Sequence, residues 1–348
     1  EGGTGSYIVY TTARSALKID LTEDSLSGER NSEATCTSGN PDITFSPIKN
    51  GVEITAYPYS SVNCIFTDTK GKAKPGPVII IPGIMGSHLI KKYGDKAEIW
   101  PNADTMATSL SDDFLNDLAL EADGSENPDR PMKVGDIIRS ITGHLLFFSS
   151  TSHIFDGLIT ELEENGYTEG DNLFVFPYDW RKGSAENAKT LKNKIGAIMA
   201  STSAKKIDVI AHSMGGLVTK KYIADNGTDA INRLIFVGTP QLGAPLAFKV
   251  LMYGDDMGVG RYGFHFLNPD RIKYISQNMP SIFELLPSKK YVETLEHPYV
   301  RDLVAESETN SCLAFNLSYA STTEFMIDEG RNKEMFSFAE NLHQSTDN

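Results

Sequence analysis

No run of eighteen consecutive apolar residues occurs in this 348-residue chain, so no segment has the length and hydrophobicity of a membrane-spanning helix. Positive charge is also short: 32 Lys and Arg stand against 46 Asp and Glu, a net charge of −14. That balance argues against a nucleic-acid partner and against electrostatic docking on anionic lipid. Neutral lipids, which are met through apolar surface, remain open as partners. Cysteine is scarce, with three in all. Cys36 and Cys64 lie in one loop-rich segment and are either free or paired, and pairing would imply an oxidising compartment. Cys312 stands alone. No Cys-x-x-Cys or His-rich spacing suggests a metal site, and no cofactor is expected. Internal repeats and low-complexity tracts are missing. An initiating Met and a leader peptide are missing too, so a start at Glu1 reads as a fragment or a processed product.

What is present divides in two. Over residues 1–74, Tyr7-Ile8-Val9-Tyr10, Val52-Glu53-Ile54-Thr55-Ala56-Tyr57 and Cys64-Ile65-Phe66-Thr67 read as short strands separated by Ser, Gly, Asn and Asp. This is a small β-rich module whose role is not readable. A Gly-Lys-Ala-Lys-Pro-Gly-Pro linker follows at 71–77. From Pro77 the pattern alternates. Val78-Ile79-Ile80-Ile81 is a continuous apolar run, as a strand buried on both faces requires. Ile154, Phe155, Leu158, Ile159 and Leu162 share a helix face that Asn165-Gly166 ends. Leu173–Phe176 reads as a strand, Ala188, Leu191, Ile195 and Ile198 as a second helix, and Arg233–Gly238 as a further buried strand. Repeated βα units imply a mainly parallel sheet with helices on both faces, an α/β class, over residues 75–348. The core spans 75–239. The aromatic-rich stretch 240–348 reads as a lid or cap with further core.

The chemistry centres on Ala211-His212-Ser213-Met214-Gly215. A strand signal, Ile207–Ile210, precedes it. Leu217, Val218, Tyr222 and Ile223 recur at helical spacing after it, and Asn226-Gly227 supplies a stop. A serine on a tight strand-to-helix turn is a nucleophile elbow, which requires small residues two before and two after it. Ala211 and Gly215 meet that requirement. Acyl transfer also needs oxyanion donors, a base and an acid. The N–H of Met214 is one expected donor. The other is placed at the N–H of Ile84, with Met85 as the near alternative, in the Gly-rich loop Pro82-Gly83-Ile84-Met85-Gly86-Ser87. Each such donor is worth about 3 kcal/mol in the transition state. The cluster Phe176-Pro177-Tyr178-Asp179-Trp180-Arg181 is expected to shape the pocket, with Asp179 and Arg181 paired beneath it. Met85 and Trp180 are expected to contact substrate. Leu145-Leu146-Phe147-Phe148 reads as buried packing or as a lipid-contacting segment.

In the order PGIMGS (82–87), FPYDWR (176–181), AHSMGG (211–216) and GTPQLGAP (238–245), these motifs resemble the lecithin:cholesterol acyltransferase-like proteins of the α/β-hydrolase superfamily. MPSIFELLP at 279–287 is similar to that family's lid region. The resemblance covers roughly 77–291 and excludes the β module. It implies a serine acyl hydrolase or acyltransferase acting on lipid esters without a metal. Water as acceptor gives a lipase, phospholipase or esterase, and an alcohol gives a transferase.

The remaining triad members are less regular. No Gly-Asp-Gly-Thr-like turn follows Gly238. Asp328, after a modest strand signal at Glu324–Ile327, pairs best with His343, fifteen residues on, in a helix-like segment where the histidine reads as a surface residue. That spacing is short for a last strand and its loops, so an acid and base beyond Asn348 are favoured; His297 is a third choice. Two further readings remain open: a non-catalytic secreted or surface binding protein on a hydrolase scaffold, and a thioesterase or amidase. Secretion or a cell-surface location is preferred. Oligomeric state is not readable.

Overall fold

A computed structural model of the chain describes the named strands within residues 1–74 and, beyond them, residues 75–94, 97–109, 111–145, 148–255, 260–261, 264–265, 267–295, 299–305 and 312–347. It divides into two compact units, Glu1–Pro75 and Gly76–Asn348. The first unit holds strands β1 (Thr4–Tyr10), β2 (Leu17–Thr22), β3 (Ser32–Ser38), β4 (Thr44–Ile48), β5 (Gly51–Ala56) and β6 (Ser61–Asp68). They form two antiparallel three-stranded sheets, ordered β1-β6-β3 and β2-β5-β4. The β3–β6 register sets Cys36 opposite Cys64.

The second unit is built on a parallel sheet. β7 (Val78–Ile81), β13 (Leu173–Val175), β14 (Ile207–His212) and β15 (Ile231–Val237) lie in the order β13-β7-β14-β15. Between β7 and β13 the chain makes a small antiparallel sheet of β8 (Ser87–Lys91), β9 (Glu98–Trp100) and β10 (Met132–Ile137), and a two-stranded pair, β11 (Ser140–Leu145) and β12 (Phe148–His153). Leu146 and Phe147 of the apolar run 145–148 lie outside the described residues.

The sheet is covered by helices on both faces. Val78 and Ile80 pack with Phe155 and Ile159, the latter from α2 (Asp156–Glu164). Ile79 and Ile81 join the larger core with Leu191, Ile195 and Ile198 of α3 (Ser184–Thr202) and Leu217, Val218 and Tyr222 of α4 (Met214–Asn226). The alternation along one apolar strand therefore feeds two cores, which is why no polar residue interrupts it. α4 stops where Gly227 turns out at φ 74°.

Three elements differ from the sequence reading. β15 is not buried: Ile235 is 52 % exposed and Val237 45 %, because among the described residues β15 pairs only with β14. Glu324–Ile327 is helical, inside α9 (Tyr319–Asp328), where Ser318 caps the first turn by accepting from the Ser321 N–H. Ile154 lies before α2 and is 48 % exposed, off the helix face expected for it. Met279–Ser288 is buried throughout. Its short helix α7 (Pro280–Glu284) packs on α10 (Phe336–Thr346), with Phe283 edge-on to Phe336. The same stretch brackets two other motifs. Ala244 N–H donates to Leu285 O and Ser288 N–H to Leu242 O, both at 2.8 Å, while Ser281 Oγ donates to Arg181 O.

Candidate active site

β7 sits between β13 and β14 in space but precedes both in the chain, so the connections leave β7 to one side and return to the other. In open α/β sheets such a switch point opens a crevice at the strands' carboxyl ends. The loops after β7 and β14 border this one. Ala211 pairs with Ile81 across the sheet, and two residues further on each strand stand Ser213 and Gly83.

Ser213 adopts φ 51°, ψ −126°, a region a non-glycine residue occupies at a cost of roughly 1–3 kcal/mol. Two bonds hold it there: its N–H donates to Val237 O, and its carbonyl accepts from Gly216 N–H, both at 2.9 Å. The conformation needs glycine beyond it. A Cβ at Gly215 would collide with the carbonyl of Pro82 and lie 2.8 Å from that of Ile81, and one at Gly216 would collide with the Thr239 side chain. Ser213 Oγ lies beside Gly83, 3.3 Å from where a Cβ on that residue would stand. The loop can approach Ser213 only because position 83 carries no side chain. Met214 is the first residue of α4, so its N–H has no intrahelical acceptor.

Residues 82–87 are held through their carbonyls. Tyr178 Oη donates to Pro82 O at 2.8 Å, Gly86 N–H to Gly83 O at 3.1 Å, and Trp100 Nε1 to Met85 O at 2.7 Å. Ile138 N–H donates to Gly86 O and Trp180 Nε1 to Ser87 O. Among the described residues, the N–H groups of Gly83, Ile84 and Met85 meet no protein acceptor. A Gly-rich loop with its carbonyls tied and its amides free beside a serine oxygen can hold an oxyanion.

Trp180 is 3 % exposed, and its indole N–H donates to Ser87 O, which ties it to the loop. Met85 is half-buried at φ 59°, beside the nucleophile loop. Asp179 and Arg181 do pair. The fully buried guanidinium holds both Asp179 oxygens, at 2.9 and 2.7 Å, and Glu126 at 3.0 Å. Two carboxylates around one buried cation satisfy it where water cannot. His212 turns its ring edge to Phe155, and partial burial lowers its pKa below the ordinary imidazole value.

The structure does not bring Asp328 and His343 together as a pair. Asp328 is exposed at the end of α9. His343 is buried instead of lying at the surface, and its Nδ1 bonds Asp347 at 3.1 Å. Asp347 also holds Lys220 at 3.4 Å, two turns into α4 and about 10 Å along the helix from Ser213. His343 lines a cavity with Leu286, Tyr299, Tyr319, Met326 and Phe336 that has room for about one water. Among the described residues no histidine hydrogen-bonds Ser213 Oγ. His297 lies outside them.

Two contacts were not anticipated. Trp100 reaches the loop only because β9 pairs with β8, setting Trp100 against Leu89, a relation no sequence spacing announces. Glu284, wholly buried, accepts from both the N–H and Oγ of Ser184 at 2.7 and 2.6 Å. Burial pushes its carboxyl up to about 7 against the lowering effect of Ser184 and Lys221.

Comparison with known proteins adds kinship. The lecithin:cholesterol acyltransferase family model matches residues 96–347. The lecithin-cholesterol acyltransferase-like 4 protein of Arabidopsis thaliana is 26 % identical over 253 residues, covering 67 % of this chain and 46 % of that one. The phospholipase A(1) LCAT3 of the same plant is 25 % identical over 260 residues, 67 % of this chain and 57 % of its own. The human lysosomal phospholipase A and acyltransferase is 23 % identical over 249 residues, 63 % of this chain and 60 % of its own. The chain thus spans about half the length of the curated relatives it matches. No described helix is long and apolar enough to cross a membrane.

Proposed function

This chain belongs to the lecithin:cholesterol acyltransferase family, with the α/β-hydrolase fold, and from that premise we propose that it is a serine-dependent acyl hydrolase or acyltransferase acting on lipid esters. The observation that carries the reading is Ser213, strained at φ 51° with its Oγ beside a loop whose amides are free. Ser213 attacks the ester carbonyl. A histidine takes its proton and later returns it to the leaving alcohol, and an acyl-enzyme forms. The N–H groups of Ile84 and Met214 receive the negative charge that develops on the carbonyl oxygen. Water or a second alcohol then resolves the acyl-enzyme. No step calls for a cofactor.

Among the described residues no acid–base pair meets Ser213. The outer edge of β15 pairs with no described strand, and its apolar residues are exposed as they would not be inside a parallel sheet. A secreted or cell-surface location accords with the register that sets Cys36 opposite Cys64.

The test is hydrolysis of p-nitrophenyl esters of increasing chain length, beside matched amides and thioesters. The account expects ester turnover that improves with apolar chain length and is abolished in Ser213→Ala. Preference for the amide or thioester would shift the bond class. Undiminished turnover in Ser213→Ala would refute the assignment.

A further inference from the structure

We propose that Trp100 is a positioning residue for acyl transfer, aiming the Ile84 N–H at the oxyanion through two peptide planes; this rests on the serine-hydrolase reading above. The path is a chain of bonds already described. Trp100 Nε1 donates to Met85 O at 2.7 Å. A trans peptide is planar, so the C=O of one residue and the N–H of the next point in opposite directions. Fixing the Met85 carbonyl therefore fixes the Gly86 N–H, which donates to Gly83 O at 3.1 Å. The Gly83 carbonyl shares its plane with the Ile84 N–H. That group points away from the turn and meets no protein acceptor among the described residues.

The turn needs such an anchor. Met85 sits at φ 59°, left-handed backbone for a residue that carries a Cβ. Releasing its carbonyl lets Met85 relax toward the ordinary region and rotates both planes, the Ile84 N–H with them. The anchor itself is rigid. Trp100 is 4 % exposed, lies on β9 beside β8, and meets Trp180 edge to face at 5.7 Å. Hydrogen bonds in series also polarise one another, on the order of 10–30 % each, which makes the terminal N–H a better donor.

A buried tryptophan also packs, so the test must separate aiming from packing. Trp100 is replaced by 3-benzothienylalanine, which exchanges the N–H for sulfur and keeps the ring shape, and separately by Phe. Ester turnover is measured per active site titrated with a fluorophosphonate, together with the melting temperature and the affinity for an alkyl boronic acid that mimics the tetrahedral oxyanion. Losing one oxyanion donor outright costs a hundred- to a thousandfold in turnover, so misaiming one is expected to cost about tenfold. The benzothienyl form should lose about tenfold in kcat per titrated site and in boronate affinity, with KM and melting temperature held. A lower melting temperature or titratable fraction with kcat per site unchanged would make Trp100 a packing residue and overturn the proposal. A wild-type chain that carries the acid and base yet titrates no site at Ser213 would overturn the hydrolase reading, and the proposal with it.

Discussion

β7 and β15 are both short apolar strands of one parallel sheet, yet their surroundings are opposite. β7 lies between two strands and two helix layers, and Val78–Ile81 are at most 2 % exposed. Among the described residues β15 has one strand neighbour, and Ile235, Phe236 and Val237 stand 52, 38 and 45 % exposed. The site follows the same division. Everything beside β7 and β14 is tied in place: the elbow by Val237 and Gly216, the 82–87 loop by Tyr178, Trp100, Ile138 and Trp180. Beyond β15, the residues suited to finish a triad are dispersed, with Asp328 at the surface and His343 engaged by Asp347. The elbow and the Gly-rich loop are thus held on one side of the sheet, while among the described residues the outer edge of β15 is unpaired.

Substitutions on the two sides should part sharply. The largest effect is expected at Gly215→Val, where the new side chain would collide with the Pro82 carbonyl and force apart the elbow and the loop. The cost is about 3 kcal/mol in urea denaturation, with loss of activity. Unchanged melting and activity would contradict the elbow geometry. Ile80→Ala, which opens a cavity at a fully buried site in the cluster that holds Phe155 and Leu173, should cost about 3 kcal/mol. Its partner in the comparison, Ile235→Ala, should cost at most about 0.5 kcal/mol in the same chain. Equal losses at the two positions would mean that β15 is covered in solution.

An intermediate effect is expected from pH. Glu284 is raised to about 7 by burial, whereas a free glutamate titrates near 4.5. Between those values the folded state binds more protons than the unfolded one, so stability falls as pH rises through this window. The difference between pH 5 and pH 8 should be on the order of 2 kcal/mol, and Glu284→Gln should flatten it. An unaltered slope in the variant would assign the pH dependence to other groups.

How much of this was legible in sequence follows from the range of each interaction. The elbow and the Gly-rich loop were readable because their steric demands fall on adjacent residues: Ala211, Gly215, Gly83, Gly86. The Asp179–Arg181 pair was readable for the same reason. The exposure of β15 was not, since its composition is that of a buried strand and only its neighbours decide. Nor was the helix at Tyr319–Asp328, because three apolar residues in a row, Phe325–Ile327, suit either state until Ser318 caps the helix. The tasks of Trp100, Trp180 and Glu284 depend on partners 15, 93 and 100 residues away, beyond any local pattern.

The most direct test of the account is intact-mass and peptide analysis of the folded chain after fluorophosphonate treatment, beside Ser213→Ala. In a chain that carries the acid and base, one adduct is expected, mapped to Ser213 and lost in the variant. An adduct that survives Ser213→Ala, or one that maps to a different residue, would contradict it.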